Sequence, residues 1–285
     1  MNLDIANMVM NIEQTSQGFD WGNLWTTLFA SFVGAFLAFV SNIRQENIKQ
    51  NEEEKGKLLK LFYDVSIIAK TFCYYYKNIQ SSINGITKGT TPFQTPILLD
   101  AVDIDINEYG FIAQKAPKLY EALTYMQNDI LLLLNYNENF EQLETNNQDE
   151  ILNYLLFINV HIPKAIAKIF VALQNINLYL NRYYKSENLI KNEVCNSYIR
   201  IKKILDEYKK QYQNIVNSKN PCDMFTERPL GDEEVETYKI DLDYINEILD
   251  TWVMDFGLNR KQKEIIEKEI VNQVKLKWEA PENEI

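Results

Sequence analysis

One histidine and two Asp-x-Asp pairs are the residues whose types could do acid–base or metal chemistry. The histidine is His161 in FINVHIPK; the pairs are Asp103/Asp105 in VDIDIN and Asp241/Asp243 in KIDLDY. An imidazole titrates near neutrality and can move a proton. To act as a catalytic base it needs a nucleophile to activate, and none is marked out around His161. Its apolar surround and the neighbouring Pro163 predict a structural role. Paired carboxylates can hold Mg²⁺, but Asp at a helix start also serves as a cap or dipole partner. The second use is expected for both pairs, and no metal is expected.

Other catalytic patterns are missing from the sequence. A single histidine cannot form H-E-x-x-H, and no arginine stands four to six residues before it. There is no G-x-x-x-x-G-K, no G-x-G-x-x-G and no G-x-S-x-G. The sequence therefore predicts neither an enzyme nor a cofactor. Cys73, Cys195 and Cys222 are far apart, odd in number and not in C-x-x-C spacing. They read as reduced thiols of a cytosolic domain.

A third cluster is basic. Arg200, Lys202, Lys203, Lys209 and Lys210 accompany Tyr198, Tyr208 and Tyr212. Such a face could grip a phosphate or stack bases on its tyrosines. The tyrosines, however, fall on an apolar stripe and are expected in the core, which leaves the cations as a solvated face. They stay the candidate surface for a nucleotide-type signal. With a net charge of −11, general nucleic-acid binding is not expected.

These residues must be positioned by helices. The chain has 285 residues, enough for one sizeable domain or two small ones, with only 9 glycines and 7 prolines, too few for a turn-rich β fold. Leu24–Ile43 holds no charged residue; at 1.5 Å per residue it spans about 30 Å, the thickness of a hydrocarbon core. Trp21 and Trp25 stand at one end, as an aromatic belt would. Residues 1–23 lack the Lys or Arg of a signal peptide, so the span reads as an uncleaved anchor. Arg44, Lys49, Lys55, Lys57 and Lys60 follow it, which predicts an outward N-terminus and a cytosolic segment 44–285. The expected localisation is a bacterial inner membrane.

Within that span Thr27, Ser31, Gly34, Ala38 and Ser41 form a heptad-spaced stripe of small residues, and Leu28, Phe32, Phe36 and Phe39 form a bulky flank. Small residues let helices approach closely, and Ser or Thr can hydrogen-bond across the contact. The stripe predicts a homo-oligomer. It could equally line a pore made by several copies.

Downstream, residues 45–57 read as a solvated stalk, and Leu58, Leu61, Phe62, Val65, Ile68, Phe72, Tyr75 and Ile79 as one buried face. A loop is expected at 84–96, a helix at about 106–136 and a polar connection at 138–150. An apolar helix at 151–185 should kink or restart at Pro163, and its Lys164, Lys168 and Arg182 argue against a second span. Ile190, Val194, Tyr198, Ile201, Leu205, Tyr208, Tyr212 and Ile215 mark a further helix, 218–232 a break, and 241–255 and 259–278 two shorter helices before a frayed tail. The expected fold is all-α: one membrane helix leading into a bundle of about five to seven helices.

The run GAFLAFVSN, its charged stalk and KLLKLFYDV resemble small bacterial membrane proteins with one N-terminal span and an α-helical cytosolic domain. YGFIAQKAPKLYEALTYMQNDI resembles their middle helices. Some proteins of this kind are antiviral-defence effectors, in which an oligomer permeabilises the membrane after a cytosolic signal. The resemblance implies a non-enzymatic membrane effector. The alternative is an anchored helical scaffold for a cytosolic protein.

Overall fold

The computed structural model describes residues 21–89, 104–141, 148–184 and 193–252, together with 260–261, 264–265 and 268. The fold is all-α. Among the described residues there are six α-helices: α1 (Trp21–Lys88), α2 (Gly110–Lys115), α3 (Pro117–Glu141), α4 (Gln148–Tyr184), α5 (Glu193–Asn217) and α6 (Asp232–Thr251). A short 3-10 turn, Ile106–Tyr109, precedes α2. The described residues hold no strand, only an isolated bridge between Cys222 and Pro229.

The chain divides into two compact units, Met1–Glu53 and Glu54–Ile285. The first contains the apolar start of α1, where Trp25, Phe29, Phe32, Phe36, Leu37 and Phe39 are all exposed. The second has one core. Its inner α1 face is the stripe read from the sequence: Leu58, Leu61, Phe62, Val65, Ile68, Phe72, Tyr75 and Ile79, each almost wholly buried.

Among the described residues two helices, α1 and α4, are long and apolar enough to cross a membrane by length and composition. Burial separates them. None of the most apolar window of α1 is buried, whereas 67% of that of α4 is. α4 packs against α3, α5 and α6. Ala165, Ile166, Ala167, Ile169, Val171, Ala172, Leu173 and Ile176 line it nearly all round. A helix apolar on every side belongs in the middle of a core.

Several boundaries differ from expectation for local reasons. The loop expected at 84–96 begins later, because α1 runs to Lys88 and stops at Gly89, whose φ of 62° ends the helix. The helix expected at 106–136 is split: Pro117 forces the preceding Ala116 out of the helical region (ψ 69°) and starts α3, which runs on to Glu141. The polar connection at 138–150 shrinks correspondingly, since α4 begins at Gln148.

Pro163 neither ends nor restarts α4. It lacks an N–H, which leaves the Asn159 carbonyl without its helical donor. The Tyr208 hydroxyl approaches that oxygen at 3.4 Å and donates to Asn159 Oδ1 at 2.9 Å; Gln80 Nε2 donates to the same Oδ1 at 2.8 Å. A buried polar knot thus ties α1, α4 and α5 together where the helix is weakest.

The last described helix, α6, starts at Asp232, nine residues before the expected 241. Asp232, Glu233 and Glu234 fill its first turn, where acids favour the helix dipole. Glu234 also accepts the Gly231 N–H at 2.9 Å and pairs with Arg228. Of the helix expected at 259–278, residues Arg260, Lys261, Glu264, Ile265 and Lys268 are helical. Its remainder, the tail, the leader 1–20 and Asp103 lie outside the described residues.

Candidate functional site

A concave site lies between α3, α4 and α6. His161, Lys164 and Lys168 recur at steps of three and four, so they project from one side of α4. With Asp129, Leu132 and Leu133 of α3 and Tyr244 of α6 they line a cleft of about 270 Å³.

Its charges are paired across helices. Lys164 Nζ lies 2.6 Å from Asp241 Oδ1, and Lys168 Nζ lies 2.5 Å from Asp129 Oδ2. The Lys168 side chain is only 6% exposed, so its ammonium has given up nearly all its water. Aromatic faces replace part of that shell: Trp252 at 5.6 Å, Tyr125 at 6.0 Å and Tyr244 at 6.0 Å from Nζ to ring centre. Tyr125 and Trp252 stack on each other at 5.6 Å, and Asn175 Nδ2 donates to the Trp252 carbonyl at 2.6 Å, which fixes the end of α6.

His161 packs between Phe157 (4.6 Å) and Tyr136 (6.4 Å). Burial, then the Lys164 charge, lowers its pKa below the ordinary 6.5, against a smaller opposing pull from Asp241 and Asp129. The neutral imidazole is the favoured form. The ring is packed against two aromatic neighbours and also borders the cleft.

The sequence reading missed this site. Lys164 and Lys168 read only as arguments against a membrane span, and the partners Asp129, Tyr244 and Trp252 carry no local signal. The trace that was available is the spacing 161, 164, 168: three polar groups on one side of an otherwise apolar helix.

The Asp241/Asp243 pair does not act together. Residues two apart on a helix point in nearly opposite directions. Asp241 is buried on Lys164 and Asp243 is exposed. Asp241 also lies within α6 and does not cap its start, a correction to the expected role. Asp105 does cap: its Oδ1 accepts the Asn107 N–H at 3.0 Å. No group of three or more potential metal ligands occurs among the described residues. Cys73 is buried and Cys222 exposed, and both are free thiols.

On α5, Arg200, Lys202, Lys203 and Lys210 are exposed and Lys209 is half-buried. Lys202 pairs with Asp206 at 2.6 Å. Tyr198, Tyr208 and Tyr212 are buried, against Phe170 (4.8 Å), Tyr76 (5.3 Å) and Tyr238 (5.0 Å) respectively. Their rings are closed to an incoming base, as the apolar stripe predicts. On α1, Thr27, Ser31, Gly34, Ala38 and Ser41 are all exposed, and a Cβ added at Gly34 would meet nothing within 4 Å.

A second buried charge sits where α1 enters the core. Glu54 is 5% exposed; it pairs with Lys115 and accepts the Tyr184 hydroxyl at 2.6 Å. Burial, then the Glu54 hydrogen bond, drives the Tyr184 pKa upward.

The chain matches no family model, no curated protein and no solved structure.

Proposed function

We propose that the chain is a single-pass membrane protein that self-associates through Thr27, Ser31, Gly34, Ala38 and Ser41. Its domain after the span faces the cytosol of a bacterium and biases that association when a cytosolic signal binds. In this reading it is a non-enzymatic effector of antiviral defence that disrupts or perforates the inner membrane. One observation carries the reading: Leu24–Ile43 is an uncharged helical stretch with large apolar side chains exposed, of a length that matches a bilayer core. In water such a surface is costly at roughly 25 cal/mol per Å² of apolar area. In lipid it is not.

The test combines location and association. Full-length protein should fractionate with membranes, require detergent, and cross-link as oligomers. Gly34→Leu should reduce both cross-linking and ion leakage on expression, since a bulky side chain blocks close approach. A chain freely soluble without detergent, or toxicity unchanged after deletion of residues 1–43, would overturn the proposal.

A second reading, an anchored scaffold for a cytosolic protein, draws on the exposure of Leu131, Leu132 and Phe157 on the folded domain. It predicts a stable heteromeric complex and no conductance in reconstituted bilayers.

A further inference from the structure

Stability alone is a poor reason for Lys168. Two well-packed apolar residues in place of a buried ion pair are often neutral or better for stability. Yet Asp129 from α3 and Lys164 and Lys168 from α4 line one cleft, and Asp241 from α6 pairs with Lys164. Leu132 and Leu133, one turn after Asp129 on α3, add apolar lining. Charged groups converging on a concave, partly apolar space are the usual make-up of a small-molecule site.

We propose that this cleft binds a small organic oxyanion, a carboxylate or phosphate monoester with a planar or aliphatic body. The ammonium groups of Lys164 and Lys168 hold the acid group, and Leu132, Leu133 and Tyr244 receive the body.

Three features select this class. Each ammonium carries three N–H donors, so pairing with one carboxylate oxygen does not exhaust it. Lys168 is held in place by Asp129 and three rings, so little freedom is lost when an anion arrives. The volume of about 270 Å³ is that of a metabolite-sized site.

Charge balance adds a consequence. Two ammoniums, two carboxylates and a neutral imidazole sum to zero. A bound carboxylate leaves one negative charge in the cleft, and a phosphate monoester about −1.5 to −2 near neutral pH; His161 is the group placed to offset part of it by taking up a proton. The groups around His161 are Lys164 on its own helix, Asp129 and Tyr136 from α3, and Asp241 and Tyr244 from α6. Anion binding is therefore linked to proton uptake. This inference does not depend on the membrane reading and would survive a chain that never enters a bilayer.

Because the chain has one histidine, a single imidazole signal reports the site. Full-length protein in detergent is titrated with benzoate and with phenyl phosphate, using phenol as the neutral control. Calorimetry runs near neutral pH in two buffers of different ionisation heat, with the imidazole resonance followed in parallel. At least one anion should saturate, take up as much as one proton and shift the imidazole signal; phenol should do none of these. Lys164→Gln should weaken binding by about tenfold or more, and Leu132→Trp, which fills the cleft from its half-open wall, should do the same. His161→Gln should retain binding and lose the proton uptake. The proposal fails if neither anion binds, if phenol binds as well, or if the folded Lys164→Gln and Leu132→Trp variants bind as tightly as the native chain. Proton uptake unchanged in His161→Gln would overturn the role given to the imidazole.

Discussion

Tyr75 carries the clearest single-residue consequence. It is 1% exposed and its hydroxyl has no hydrogen-bond partner among the described residues. An unpaired buried hydroxyl costs on the order of 1–3 kcal/mol relative to an apolar group of the same shape. Tyr75→Phe keeps the ring, including its edge contact with Phe72 at 6.5 Å. We expect the variant to be as stable as the native chain or more so, by about 1 kcal/mol, in denaturant unfolding. At this scale the sequence spoke unevenly. Tyr75, Tyr208 and Tyr212 were legible as core from their place on three- and four-residue stripes. The ionic roles of Lys164, Lys168 and Asp241 were not, because their partners stand on other helices. Local spacing tells which side of a helix a residue occupies and nothing about what meets it there.

Among the elements, α4 shows how a helix keeps a proline in its interior. Of the kink or restart expected at Pro163, the restart does not occur: one helix runs from Gln148 to Tyr184. The carbonyl that loses its donor is approached by the Tyr208 hydroxyl of α5 at 3.4 Å, which is itself held by the Asn159 side-chain oxygen that Gln80 of α1 also reaches. Tyr208→Phe should therefore cost about 1–3 kcal/mol. In a Pro163→Ala background, where the helix supplies its own donor to the Asn159 carbonyl, the cost should fall by about 0.5–1 kcal/mol. A double-mutant cycle from urea unfolding measures that coupling, and additivity would refute the compensation. The start of α6 was hidden for a related reason. In DEEVETYKI the apolar spacing is sparse, but three carboxylates at a helix N-terminus favour the first turn.

At the level of the whole molecule, the folded domain encloses many tyrosines. Burial holds Tyr76, Tyr109 and Tyr179 up at about 12, and it raises Tyr208 and Tyr212 further. In the unfolded chain these phenols ionise near 10. As pH rises past 10 the unfolded state loses protons that the native state keeps, so stability falls continuously until the native phenols ionise too. Tyrosinate absorbance for this group should therefore appear in one step with loss of helical circular dichroism. A gradual titration that precedes unfolding would show these rings to be wetter than their burial indicates. The all-α class was legible from scarce glycine and proline and from long apolar stripes. The packing partners of each stripe were not, because pairing between distant helices leaves no local mark.

Among the described residues, Glu54 is the first that the folded domain closes over, and it is a carboxylate clasped by Lys115 of α2 and Tyr184 at the end of α4. Turning α1 about its axis by one residue, about 100°, would withdraw that carboxylate from both. The folded domain thus clasps this helix first by charge and a phenol, and only then by the apolar face from Leu58 to Ile79.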